Sequence, residues 1–313
     1  MRKRLISIIG AIVMMLGLQA PAMAIVINDT AGSATAIGLG DGHPAVVELF
    51  LGGSLCSGAL IDATHVITAQ HCTFGTSAAS MTVSFHNVNN DGTPDTNIGV
   101  SAKAEMNATN SLVDGTDIAI LTLASAAPGG IAPLAFASGV AIGDTVDTVG
   151  FGLNGVGSTG HGGTRDGLRW AAENTLDQFG AAACTTEAFC TGGSVAGSAN
   201  ILNTDFDDGS AANNLLGSAA MLTNEGTTAP GDSGGPLLIN GLIAGVLSGG
   251  TTGNSVFSDI SWWTGTFIAA ARAFITANSN AVFVDPAQIP EPGTLMLLLL
   301  GLAGLIVGRQ RRV

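Results

Sequence analysis

Hydrophobic positions between residues 25 and 289 come in short bursts. Ala45–Leu51, Ala59–Ile61, His65–Thr68, Met81–Phe85, Ile118–Leu123, Thr145–Phe151 and Gly241–Leu247 are apolar or alternate apolar with polar residues. Glycine, asparagine, aspartate and serine lie between them. Runs of strand length bounded by turn formers predict an all-β body. Trp262–Ala277 departs from this pattern, because Phe267, Ala271, Phe274 and Ile275 recur at helical spacing. It predicts one amphipathic helix near the end of the domain, which Trp262 and Trp263 would pack against the strands. Leu153–Arg165 and Thr191–Ser218 are rich in Gly, Ser and Asn and predict long surface loops.

The two ends carry a different pattern. Met1–Ala24 has Arg2-Lys3-Arg4, an apolar run to about Leu18, and Ala22-Met23-Ala24. A basic start, an apolar centre and small residues before a cut make a secretory signal peptide. Cleavage after Ala24 exposes Ile25-Val26. At the other end, Ile289-Pro290-Glu291-Pro292 is followed by the apolar stretch Thr294–Gly308 and by Arg309-Gln310-Arg311-Arg312. As a helix that stretch rises only about 22 Å, short of a roughly 30 Å hydrocarbon core, so it predicts a weak, transient membrane anchor with its Arg cluster in the cytoplasm. Pro-Glu-Pro, apolar stretch and Arg cluster in order resemble the PEP-CTERM sorting signal of Gram-negative bacteria. The resemblance implies handling by an exosortase and delivery to the cell surface or extracellular matrix.

The ends also distort the composition. The chain has 313 residues, 46% hydrophobic and 11% charged. Six of its ten basic residues lie in the first four or last five positions. Residues 25–289 therefore hold four basic residues against 22 acidic ones, a formal charge of −18. A body this acidic repels phosphate backbones, which excludes nucleic acid as a partner. Its hydrophobicity excludes a disordered chain. Export permits disulfides, and four cysteines allow three pairings. Cys56 and Cys72 flank two predicted strands and Cys184 and Cys190 close a short loop, which favours those two pairs. The four lack paired C-x-x-C spacing, which disfavours zinc.

The chemistry concentrates at Gly231-Asp232-Ser233-Gly234-Gly235-Pro236. Glycines on both sides of a serine allow a tight backbone that can aim several N–H groups at one oxygen. A serine hydroxyl needs a base to become a nucleophile. Thr68-Ala69-Gln70-His71-Cys72 supplies a histidine, and Asp117-Ile118-Ala119-Ile120-Leu121 supplies a carboxylate to orient it. Asp114 is the rival acid.

The order His71, Asp117, Ser233 and the complete GDSGGP run resemble the chymotrypsin-like (trypsin-fold) serine proteases. The resemblance spans about Ile25 to Ala277. It implies two antiparallel β-barrels, the first over residues 25–140 and the second over 141–279, then a linker at 280–289 and the sorting tail at 290–313. By the same resemblance Ser233 attacks the scissile carbonyl, His71 is the base and Asp117 orients it. The N–H groups of Gly231 and Ser233 form the oxyanion hole. Cys56 stands where the family places the partner of the cysteine after the catalytic histidine, which supports Cys56–Cys72. Gln70 replaces the family's alanine and is expected to leave the chemistry alone.

In this family a freed Ile-Val terminus pairs with the aspartate before the catalytic serine, here Ile25 with Asp232. Signal peptidase alone would create that pair, although Ile27-Asn28 replaces the usual two glycines. Thr227 takes the pocket-floor position, with Ser248-Gly249-Gly250 and Ser255 as walls. A pocket without a buried carboxylate implies cleavage after uncharged residues. Ala229 rules out the family's usual pocket disulfide. No organic cofactor is implied. Asn87–Asn97, with Asp91 and Asp95, lies where some relatives bind calcium, and Asp205, Asp207 and Asp208 raise the same thought more weakly; Asn-Asp-Gly runs are ordinarily plain turns. The expected protein is an exported serine endopeptidase acting on proteins or peptides. The opposing reading, an inert protease fold serving as a surface or matrix binding module, has the intact triad against it.

Overall fold

The computed structural model describes residues 25–86, 90–180, 200–217, 221–251 and 253–288. The described chain opens with a short strand, β1 (Ile25–Ile27), and a helix, α1 (Ser33–Asp41). Both belong with the second half of the protein. The apolar runs that follow become β2 (Val46–Leu51), β3 (Ser54–Asp62), β4 (His65–Thr68), β5 (Met81–Phe85), β6 (Thr96–Glu105) and β7 (Ala119–Leu123), with one helical turn, α2 (Gln70–Thr73), after β4. These six strands close into an antiparallel barrel in the order β2-β3-β4-β7-β6-β5. β2 is the closing strand, pairing with both β3 and β5. Closure leaves no unpaired edge, and Leu49, Val66, Ile67, Val83 and Ile120 fill the centre, each fully buried aliphatic contributing about 1.5–3 kcal/mol.

The second lobe is built from β8 (Phe136–Ala137), β9 (Thr145–Gly150), β10 (Asn154–Val156), β11 (Gly160–His161), β12 (Trp170–Thr175), β13 (Gln178–Phe179), β14 (Ile201–Asp205), β15 (Gly226–Thr227), β16 (Pro236–Ile239), β17 (Leu242–Gly250) and β18 (Ile260–Gly265), followed by α3 (Ala269–Asn278) and β19 (Phe283–Val284). Nine of these strands make one sheet, along the path β12-β9-β16-β17-β18-β14-β13, with β8 beside β17 and β19 beside β8. A smaller sheet, β11-β10-β1-β15, threads the first described strand between two segments of the second lobe. The body is all-β with one C-terminal helix, as its periodicity predicts. The two lobes are tied by Arg169, which is fully buried. Its guanidinium donates to the carbonyls of Val46 at 3.0 Å and His86 at 2.7 Å. Burial lowers its pKa to about 10, so it keeps its charge at neutral pH.

Four expectations need correction. The predicted helix begins at Ala269 rather than Trp262, because Ile260–Gly265 lies buried between β17 and β14 and pairs with both. Leu153–Arg165 holds β10 and β11, and Thr191–Ser218 holds β14, so neither is wholly loop. The expected linker is attached to the body: β19 pairs with β8, and Phe283 stacks on Phe136 at 5.0 Å. Helix α1 had no periodic signal; it forms where Gly40 lets the chain lie against the Arg169 backbone. Among the described residues no helix is long and apolar enough to cross a membrane. The signal peptide, the sorting tail, Cys184 and Cys190 lie outside the described residues.

Candidate active site

Strands β4 and β7 pair with Thr68 opposite Ala119, so the segments just beyond those residues emerge side by side. Gln70–Thr73 turns into α2 at that point and presents His71, while Asp117 precedes β7. His71 Nδ1 lies 2.7 Å from Asp117 Oδ2, and the His71 backbone N–H donates to Oδ1 at 2.8 Å. Asp117 is buried, whereas the His71 side chain stays one-fifth exposed and open to a reactant. The rival Asp114 instead accepts the Thr116 N–H at 3.0 Å in an exposed turn. The Cys56–Cys72 disulfide joins α2 to β3.

Gln70 does more than the sequence suggested. It is buried, its amide donates to the Thr109 carbonyl at 2.6 Å and to Asn107 Oδ1 at 2.9 Å, and it accepts the Asn107 N–H at 3.1 Å. Those bonds fasten the segment leading to Asp117 against the helical turn that carries His71. A glutamine beside the histidine was the only signal of this in the sequence.

Ser233 sits in the turn between β15 and β16. Its carbonyl accepts the Ser57 N–H at 2.8 Å, and the Gly234 N–H donates to Leu247 at 2.9 Å, so the turn is pinned to both lobes. Gly231 has φ +103°, and a Cβ there would stand 2.7 Å from the Gly152 Cα. Only glycine fits that conformation and that approach.

Asp232 is fully buried. Its carboxylate accepts N–H groups from Gly152 and Ala229, both at 2.8 Å, and from Ile25. With residue 24 still attached, Ile25 offers a peptide N–H rather than an ammonium. Burial then raises the Asp232 pKa to about 7 against the lowering by those three bonds.

His71 and Ser233 line one cavity of about 240 Å³. Ser248, Gly250 and Ser255 line it as expected, together with Thr228, Ala229 and Pro230. Thr227 does not. It is paired with Val26 in the small sheet and its hydroxyl lies 2.9 Å from that of Ser261. Trp262, expected to pack the terminal helix, also lines the cavity and donates from Nε1 to the Leu112 carbonyl at 3.1 Å. Its ring fills the space a side chain at Gly249 would take, with a Cβ there only 2.5 Å from Cζ2. Asp259, a buried carboxylate that the sequence reading did not place here, also lines the cavity. These residues escaped the sequence because strand pairing alone brings them to the cavity.

The family model described as Trypsin matches residues 33–262. The chain belongs to the trypsin family. Among solved structures, neuropsin, a serine protease expressed in the limbic system of mouse brain, superposes on 73% of this trypsin-family chain and 92% of its own at a TM-score of 0.53. At 20% identity the likeness is one of fold. A PEP-CTERM protein-sorting motif matches residues 288–312 and marks the protein for export and surface-directed sorting in Gram-negative bacteria. No curated protein matches the chain.

Proposed function

We propose that this trypsin-family protein is an exported serine endopeptidase that cleaves peptide bonds through an acyl-enzyme. The observation that carries the reading is the 2.7 Å contact of His71 with buried Asp117, on a cavity that His71 shares with Ser233. In this reading Ser233 Oγ attacks the scissile carbonyl and His71 Nε2 takes its proton, later giving it to the leaving amine. Asp117 holds Nδ1–H and stabilises the imidazolium. The Gly231 and Ser233 N–H groups receive the developing oxyanion. Gly249 and Gly250 offer backbone to the substrate strand.

Ile25 and Asp232 complete the proposal. Removing residues 1–24 turns the Ile25 peptide nitrogen, already hydrogen-bonded to Asp232, into an ammonium facing a buried carboxylate. Export processing would then activate the enzyme with no separate cleavage.

The test is reaction of the processed protein with a fluorophosphonate, beside Ser233→Ala. Labelling and casein cleavage by the wild type alone is the expected result. A folded protein beginning at Ile25 that takes up no label would overturn the reading and favour a binding module.

A further inference from the structure

Ser57 lies on β3 directly after Cys56 and is fully buried. Each of its polar groups has a partner. Its N–H donates to the Ser233 carbonyl at 2.8 Å, and its carbonyl accepts the Thr68 hydroxyl at 2.8 Å. Its own hydroxyl accepts the Phe151 N–H at 3.0 Å and donates to the Gly231 carbonyl at 3.1 Å. One side chain of the first lobe thus reaches both the segment just after β9 and the turn that carries Ser233.

The Gly231 backbone needs outside support. With φ +103° and no Cβ, nothing intrinsic holds it in one orientation. Three hydrogen bonds do so instead. Ahead of it, the Pro230 carbonyl accepts the Leu153 N–H at 2.8 Å. The N–H and C=O of a trans peptide point in opposite directions, so this bond also sets where the Gly231 N–H aims. Behind it, the Asp232 N–H donates to the Ala229 carbonyl at 3.0 Å, and the Gly231 carbonyl takes the Ser57 hydroxyl. Of these three bonds, only the one from Ser57 is made by a side chain and comes from the other lobe.

We propose that Ser57 is a positioning residue for the oxyanion hole. Its hydroxyl fixes the peptide that joins Gly231 to Asp232, and so holds the N–H groups of Gly231 and Ser233 in place before substrate arrives. The proposal rests on the peptidase reading above and deepens it. Donors held in advance cost no reorganisation as negative charge develops on the substrate oxygen. A hydroxyl suits the task because it accepts and donates at once: the Phe151 N–H takes a lone pair and leaves the O–H for Gly231. Alanine at this position would remove that partner from both groups and let the Gly231 carbonyl turn.

The experiment compares the processed wild type with Ser57→Ala on one peptide that the wild type cleaves. The variant's kcat should fall by roughly 10- to 100-fold, less than the loss of a whole oxyanion donor, while KM stays within about twofold. A peptide boronate, which forms a tetrahedral adduct on Ser233 Oγ, should bind the variant more weakly by the same factor as kcat falls. Circular dichroism checks that the variant is folded.

If Ser57→Ala does not fold, a crystal structure of the wild type with the boronate decides. The Ser57 hydroxyl should remain hydrogen-bonded to the Gly231 carbonyl, with an adduct oxygen accepting the Gly231 N–H. A Ser57 hydroxyl turned away from Gly231 in that structure overturns the proposal. So does a folded Ser57→Ala with unchanged kcat, or one whose only change is a raised KM, and either leaves the peptidase reading standing. A wild type that neither labels with fluorophosphonate nor cleaves overturns the peptidase reading, and this proposal with it.

Discussion

In the first lobe, His71 and Asp117 stand at the ends of paired strands and are joined directly by two hydrogen bonds. In the second, Ser233 stands in a turn whose shape depends on Gly231 at positive φ and on a buried Asp232 that reaches as far as Ile25. One half of the site is completed by contacts inside a closed barrel. The other reaches Ile25, the residue at which the proposed export processing would cut the chain. The difference teaches where control lies: processing should act on the serine half and leave the histidine–aspartate pair unchanged.

The largest effect expected on the first half is that of Asp117→Asn. Loss of the carboxylate frees the wrong histidine tautomer and should lower kcat by about 10⁴-fold with the fold intact. Steady-state kinetics beside circular dichroism checks this, and a loss below tenfold would break the account of the first lobe.

Retaining Ala24 ahead of Ile25 addresses the second half. Without the ammonium, Asp232 has no cationic partner from the terminus, and kcat/KM should fall by roughly 10²-fold, the scale of an uncompensated buried charge. The same pair of proteins has a pH signature. In the extended chain the folded-state pKa of Asp232, raised to about 7, exceeds its unfolded value of 3.8. The folded state then holds a proton that the unfolded state has lost, so stability falls as pH rises from about 4 to 7. The ammonium of the processed chain removes this contribution. The gap in Tm between processed and extended proteins should widen over that range, and a constant gap would dissociate Ile25 from Asp232.

The smallest effect on activity is expected from replacing Cys56 and Cys72 together by serine. Their separation of 16 residues predicts a loss of about 3 kcal/mol in stability. Because the hydrogen bonds of Asp117 and Gln70 still hold α2, the folded fraction should label with fluorophosphonate at a rate close to wild type. Urea denaturation with labelling below the midpoint measures both. A large loss of labelling would mean that the disulfide, and not those hydrogen bonds, positions His71.

Much of this was legible without coordinates. His65–Thr68 and Met81–Phe85 are strands over the predicted residues, and the remaining predicted strands differ by a few positions at their ends. Their alternation and flanking turn residues are properties of a few neighbouring residues. The GDSGGP run and the histidine and aspartate ahead of it pointed to the site for the same reason. Helix α1 was not legible, since its apolar spacing is weak and its fit depends on Gly40 meeting a distant backbone. Trp262 and Trp263 were assigned to a helix because spacing alone does not reveal that strands wait on both sides of them.

The sequence by itself determined the all-β character of this protein, the candidate residues for serine chemistry, and the sorting motif at its C-terminal end. Each is written in short stretches, where period, turn chemistry and motif need no distant partner. Only the tertiary structure decided what the cavity is made of. The pairing of β17 with β18 sets Gly249 opposite Trp262 and Gly250 opposite Ser261. That register lets an indole fill the space beside one glycine and brings a buried carboxylate up to the other. Register is a choice between whole strands, made by how both faces of the sheet pack, and a one-residue slip would send Trp262 to the opposite face.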